Sequence, residues 1–271
     1  DEADGGIGAG PVGTMLVSQA TGAGLLLEPF LSSAVIATRV VSLLARGTQR
    51  EQLLGALASG EAVAVLAHEE AEGWAQPLVT IATLEGDGWR LRGRKAGVLH
   101  APMARWLLVT AHTRDGIGVF VVDRDAAGVQ LHGWRSVDGQ HAADIELDVL
   151  LGDDAHPGEG DARGALDEAL DRGIAALCAD ALGVLDRILA ATVQYTRDRV
   201  QFGTPIGRLQ ALQHRMADMY MQVEQARSMT YLATSACLQS DTRARREAVA
   251  GAKIIVGQAA LVRQTLTGLL A

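Results

Sequence analysis

The pattern of hydrophobic and polar positions changes period along the 271 residues. Up to about Gly60 the chain is glycine-rich and then helical, with Leu43, Leu44, Leu53 and Leu54 set among polar positions. This stretch closes on Ala58-Ser59-Gly60-Glu61, where glycine suits the residue just past a helix. From there the runs become short and β-branched: AVAVLAHE, LVTIATLE, GWRLRGRK, RWLLVTAHT, GIGVFVVDRD and ADIELDVLL. Gly86-Asp87-Gly88 and Asp115-Gly116 fall between such runs and read as hairpin turns. From about Ala162 the period lengthens to steps of three and four. Leu166, Leu170, Ile174, Leu177, Ala181, Leu185 and Ile188 form one stripe. Leu209, Leu212, Met216, Met219, Val223, Ala226, Thr230 and Ala233 form a second, and Val249, Ala252, Val256 and Ala259 a third.

These periods predict an α+β chain in three parts. Residues 1–60 read as a partial N-terminal helical domain and 61–152 as a middle antiparallel β-barrel or sandwich, because strands follow one another without helices between them. Residues 162–271 read as an up-down helical bundle. Three long amphipathic helices there call for a fourth from elsewhere in the chain.

Composition narrows the function. A net charge of −8 and a pI near 5.4 offer no basic face for nucleic acid. Aromatics make up only 4%, so the core must be built from aliphatic side chains. Cys178 and Cys237 lie in helical patterns without metal-like spacing and read as buried thiols of a cytoplasmic protein. The uncharged run from Gly5 to Leu27 is long enough to span a membrane, but its seven glycines make a lipid-facing helix a poor reading. No basic segment precedes it as in a signal peptide. The absence of an initiator Met reads as a fragment of a longer polypeptide. His68, His100 and His214 are too scattered for a metal site. Asp167, Glu168 and Asp171 read as a solvated helix face. Glu69 and Glu70 are adjacent acids with a weak claim to catalysis.

The most specific segment runs from Tyr195 to Met219: YTRDRVQFGTPIGRLQALQHRMADM. On local chemistry a helix ends at Gly203, Pro205 blocks its continuation and another starts near Gly207. Arg199, Gln201 and Phe202 would project from that corner as a guanidinium fork, an amide and an aromatic plate. Such a set suits a diphosphate joined to a flat heterocycle, and equally a plain helix–turn–helix corner with a surface arginine.

The string closely resembles the acyl-CoA dehydrogenase signature R-x-Q-F-G-x-P-I followed by Q-x-x-x-H-x-x-A-D-M. GGIG, LASGEAVAVLAHEE, GDGWRLRGRKAGVLHAP and GVFVVDRDAAGV resemble further family segments in order and spacing. The resemblance covers essentially the whole chain. It implies two helical domains flanking a β domain, with FAD held between the β domain of one subunit and the C-terminal bundle of its neighbour. It also implies a Glu that removes the α-proton of an acyl-CoA substrate, hydride transfer to the flavin, and reoxidation by an electron-transfer flavoprotein. Carried over position by position, Arg199, Gln201, Phe202, Ile206 and Gln210 become cofactor-binding residues.

Elsewhere the chain departs from the family. Thr-Glu-Pro reads His68-Glu69-Glu70, and a following Gly-Ser reads Gly73-Trp74. In the strand K-x-W/F-x-T-N the stacking aromatic is Gly97 and the threonine is Leu99, ahead of His100. One family position for the catalytic Glu reads Gly173, followed by Ile174. The other, after a Q-x-x-G-G segment, has no counterpart in AKIIVGQAALVRQTLTGLLA. An intact neighbour-facing half, an eroded β half and no visible base resemble subunits of actinobacterial α2β2 acyl-CoA dehydrogenases acting on steroid side chains. The expectation is a subunit that needs a homologous partner chain. Two alternatives stay open: an active homo-oligomer whose base lies beyond these residues, and a non-enzymatic relative.

Overall fold

The computed structural model of the protein describes residues 2–71, 78–158 and 160–270, the last nine of them as backbone alone. Gly73-Trp74 lie outside the described residues. In chain order there are helices α1 (Gly10–Gly24), α2 (Thr38–Leu44) and α3 (Gly47–Ala58), then strands β1 (Ala64–Ala67), β2 (Ile81–Glu85), β3 (Gly88–Leu99) and β4 (Trp106–Thr113). Strands β5 (Gly116–Asp123), β6 (Val129–Arg135) and β7 (His141–Gly152) follow, and then the long helix α4 (Arg163–Asp198). A short hairpin of β8 (Val200–Gln201) and β9 (Thr204–Pro205) precedes α5 (Gln210–Ala236) and α6 (Thr242–Leu270). The residues group into two compact units: Asp1–Gly8 with Leu27–Leu170, and Ala9–Leu26 with Asp171–Ala271.

The first unit is organised by a seven-stranded sheet of order β1-β4-β2-β3-β7-β6, with β5 paired to β4. Both expected hairpin turns are present, with Glu85 opposite Gly88 and Thr113 opposite Gly116. The expectation of a purely antiparallel sheet fails at its centre. β1 runs parallel to β4, and β2 meets β4 in the same sense at Ile81–His112. The β2–β3 hairpin intervenes between β1 and β4, so these neighbours in space are not neighbours in sequence.

Strand β4 is buried on both faces, which explains why its run is continuously apolar instead of alternating. Leu107, Val109 and Ala111 join Leu91, Phe120 and Ile145 in one apolar cluster. Leu108 faces Val41, Leu53, Leu54 and Leu166 in another. Full burial of a leucine such as Leu107 is worth about 1.5–3 kcal/mol. Strand β6 was not anticipated; it is mostly exposed and, among the described residues, pairs only with β7.

The second unit supplies the fourth helix that the pattern called for: it is α1. Its Gly22 packs so closely that an added Cβ would lie 1.9 Å from the Asp180 carbonyl oxygen, and one on Gly183 would lie 2.0 Å from that of Gln19. Glycine on both sides lets the α1 and α4 backbones approach each other. Thr21 Oγ1 donates to Asp180 Oδ1 at 3.1 Å and Gln19 Nε2 to Asp186 Oδ2 at 3.2 Å, fixing the register of that contact.

The bundle core is built of Leu182, Leu185, Val223, Ala226, Ala252 and Val256. The third predicted stripe is buried throughout. The second is buried only from Met219 onward; Leu209 is exposed. In the first, Leu177 is exposed and Cys178 and Leu182 take the inner positions. Cys178 and Cys237 are both buried, and burial pushes the Cys178 thiol up to about 11. Among the described residues no helix is long and apolar enough to cross a membrane.

The solvated acidic face expected at the start of α4 is not found. Asp171 is buried and accepts a 2.9 Å hydrogen bond from Arg245 Nε, and Glu168 accepts from Arg39. A stripe of acids on one helix looks solvated until the partner arginines, 74 and 129 residues away, are placed.

Candidate functional site

Two constellations carry the residues singled out by sequence. In the second unit, α4 stops at Asp198, and the Arg199 amide still bonds the Tyr195 carbonyl at 2.9 Å. The helix therefore ends five residues before Gly203, correcting the expected corner. Val200–Gln201 turn back onto Thr204–Pro205 as a two-stranded hairpin. Phe202 and Gly203 form its tip with φ of 55° and 78°. Two successive positive φ values define the primed two-residue turn that hairpins prefer. Glycine takes this conformation freely, whereas Phe202 does so at a cost of roughly 1–2 kcal/mol.

The tip projects. Phe202 is 93% exposed, an unusual setting for a large aromatic in a strained conformation. The Arg199 guanidinium is exposed and makes no ion pair or hydrogen bond among the described residues. Gln201 is also exposed, its amide donating among the described residues only to the adjacent Val200 carbonyl. Ile206 differs from these: it is buried at the hairpin base, and its amide bonds the Arg199 carbonyl at 2.9 Å. Gln210 is exposed as the first residue of α5. The fold thus brings Arg199, Gln201 and Phe202 onto one protruding hairpin anchored by Ile206, with Gln210 just beyond. Among the described residues the side chains of Arg199 and Phe202 make no hydrogen bond, and neither is buried.

The first unit holds the other constellation. The Lys95 ammonium, wholly buried, donates to Glu70 Oε1 at 2.7 Å, to the His68 carbonyl at 3.2 Å and to Thr110 Oγ1 at 3.2 Å. Three acceptors match its three N–H bonds. Thr80 Oγ1 donates to the same Glu70 oxygen at 2.6 Å. Burial works against ionisation of Glu70, but hydrogen bonds from Lys95, Thr80 and the Val79 amide outweigh it and hold the carboxyl down to about 2. A carboxylate so stabilised is a poor general base. Burial likewise lowers the pKa of Lys95, with the Glu70 hydrogen bond opposing. Sequence reading missed this network because its members come from separate strands and the loop after β1.

Just past Lys95 the β3–β7 register slips, and Gly97 sits in the bulge with φ of 62° and its amide bonded to Asp144 Oδ1 at 2.8 Å. A Cβ there would meet nothing within 4 Å. Leu99 is 41% exposed, and His68 Nδ1 is tied to Thr110 Oγ1 at 3.0 Å. His100 is buried, with Ser32 Oγ 2.9 Å from Nδ1 and the Leu27 carbonyl 3.1 Å from Nε2, so it braces the backbone. This edge offers neither an aromatic plate at 97 nor a hydroxyl at 68 or 99. On α4, Gly173 is buried and carries no side chain to act as a base.

Comparison with known proteins identifies the family of the chain. The family models described as "Acyl-CoA dehydrogenase, C-terminal domain" and "Acyl-CoA dehydrogenase, middle domain" match residues 163–263 and 68–149. Probable acyl-CoA dehydrogenase FadE25 of Mycobacterium tuberculosis is 32% identical over 250 residues, which is 85% of this chain and 63% of that protein. The chain therefore spans somewhat less than two thirds of that relative's length. Among solved structures, a variant of the Tcur3481–Tcur3483 steroid ACAD is 30% identical, with a TM-score of 0.86 over 99% of this chain and 73% of that one. The ChsE4–ChsE5 complex from Mycobacterium tuberculosis is 27% identical, with a TM-score of 0.87 over 97% and 70%. With the middle β domain, the C-terminal bundle and the RVQFGTPI hairpin all in place, the chain belongs to the acyl-CoA dehydrogenase family.

Proposed function

We propose that this chain is a subunit of an FAD-dependent acyl-CoA dehydrogenase, lending its β8–β9 hairpin to a flavin held mainly by a homologous partner subunit. The observation that carries this reading is the exposed tip itself. Arg199 and Phe202 point away from their own chain, and Phe202 is strained as well as exposed. Arg199 offers a guanidinium fork to the diphosphate, Gln201 an amide beside it and Phe202 an aromatic face for the adenosine. Gln210 extends the polar edge, and Ile206 holds the hairpin base in register.

The residues fit one half of a flavin site. The other half is poorly supplied, since Gly97 gives no stacking surface and Leu99 no hydroxyl. When bound, FAD supplies the oxidant that accepts a hydride from the β-carbon of the acyl-CoA thioester. Removal of the α-proton needs a base, and neither Gly173 nor the Lys95-bound Glu70 can serve. A Glu of the partner subunit then takes that role, and an electron-transfer flavoprotein carries the electrons away. An α2β2 assembly and a steroid side-chain CoA substrate are supported by likeness to a steroid ACAD and to a two-protein complex.

Turnover tests the reading. The purified chain with added FAD should not desaturate acyl-CoA thioesters, whereas its complex with a homologous chain should, and should lose activity when the partner's Glu is replaced. Robust turnover by this chain alone would contradict the proposal.

A further inference from the structure

In the second unit, away from the hairpin, the guanidinium of Arg245 is an anomaly. The residue is 94% buried (6% exposed), yet only its Nε–H is engaged, with Asp171 Oδ2 at 2.9 Å. Arginine carries five N–H donors. The terminal nitrogens of Arg245 make no hydrogen bond among the described residues. They are also not among the sealed polar atoms left without a partner, which among the described residues are Ser18 Oγ, Trp89 Nε1 and Gln222 Oε1. Unbonded but not sealed, they keep a small solvent-accessible surface on an otherwise buried side chain. Evolution rarely leaves a buried cation this under-used, because its desolvation is offset only by good partners.

We propose that Arg245 is the receptor of a small carboxylate-binding site at the start of α6, with Asp171 as its positioning residue. Asp171 holds Nε from the α4 side and so fixes the guanidinium plane. The Nη1–Nη2 end then presents two parallel N–H donors, the geometry that matches the two oxygens of a carboxylate. Arg243 and Arg246 flank Arg245 in the first turn of α6 and make the local field favourable to an anion, while Asp171, Asp241 and Glu247 oppose it. The site is independent of the flavin reading.

The probe is glutarate, titrated into the full chain in its assembled state at constant ionic strength, with Arg side-chain N–H resonances followed by NMR. The expected result is a saturable shift of the Arg245 Nη and Nε signals. Arg245→Lys retains the charge and can still pair with Asp171, but it loses the fork, so affinity should fall at least about tenfold in a folded variant. Inorganic phosphate should compete weakly, since its tetrahedral oxygens match the planar fork less well. Absence of a saturable shift, or equal affinity in Arg245→Lys, would show that the fork is met by water alone. Phosphate binding tighter than glutarate would overturn the assignment of ligand class.

Discussion

The Nζ atom of Lys95 lies 2.7 Å from Oε1 of Glu70, with the two side chains 0% and 6% exposed. The pair joins the loop after β1 to the last β3 residue paired before the bulge that carries Gly97. Thr80 and Thr110 complete its hydrogen bonds, so the edge of the β unit is held rigidly by polar contacts rather than by the apolar core alone.

Acid stability should report on this pair. Folding depresses the Glu70 pKa from an ordinary 4.5 to about 2, so its contribution is complete above pH 4.5 and fades as pH falls towards 2. The shift corresponds to about 3 kcal/mol. Urea midpoints measured between pH 7 and pH 2.5 should show this loss, and Glu70→Gln should flatten it. Lys95→Met should cost about 3–5 kcal/mol at neutral pH by leaving Glu70 buried without its cation. An unchanged acid slope in Glu70→Gln would mean that the pair is not formed.

The α1–α4 contact gives a separate test of the bundle. Gly183→Ala places a methyl group against the Gln19 carbonyl and should destabilise by about 1–3 kcal/mol, since backbone on both sides must move. Gly164→Ala, on the same helix with open space around it, should be neutral or slightly stabilising. Equal thermal midpoints for the two variants would argue against the close crossing.

Phe202→Gly separates strain from packing. Glycine relieves the left-handed conformation, so the folded chain should stay within about 1 kcal/mol of its native stability. Truncating a core phenylalanine would instead cost about 3–5 kcal/mol. Flavin retention by the assembled complex should fall nonetheless, as measured by bound FAD after dialysis.

Arg199→Ala should weaken FAD retention in the complex by about 1.5–3 kcal/mol through loss of a charge-assisted hydrogen bond. Unchanged flavin content after dialysis would make Arg199 an ordinary surface residue.

Periodicity revealed most of the elements, because strands β1 to β5, β7 and the long helices each carry their own local pattern. It could not reveal parallel pairing of β1 with β4, which depends on strands about forty residues apart. Strand β6 escaped notice because an exposed edge needs no alternation. The RVQFGTPI string marked the hairpin residues, but Gly203 and Pro205 looked like ordinary helix punctuation. Only the left-handed Phe202 distinguishes a projecting turn from a helix corner. The Lys95 and Arg245 pairs were invisible for a simpler reason. Burial of a charge is set by residues 25 and 74 positions away, and neither spacing has a signature.

The central claim is that this chain contributes half of a flavin site without holding a flavin of its own, and subunit-resolved flavin counting tests it most directly. Co-expressed with a homologous acyl-CoA dehydrogenase chain and purified as a complex, it should carry one FAD for every two chains. Purified alone it should retain almost none. One FAD per chain in a homo-oligomer of this chain would contradict the account.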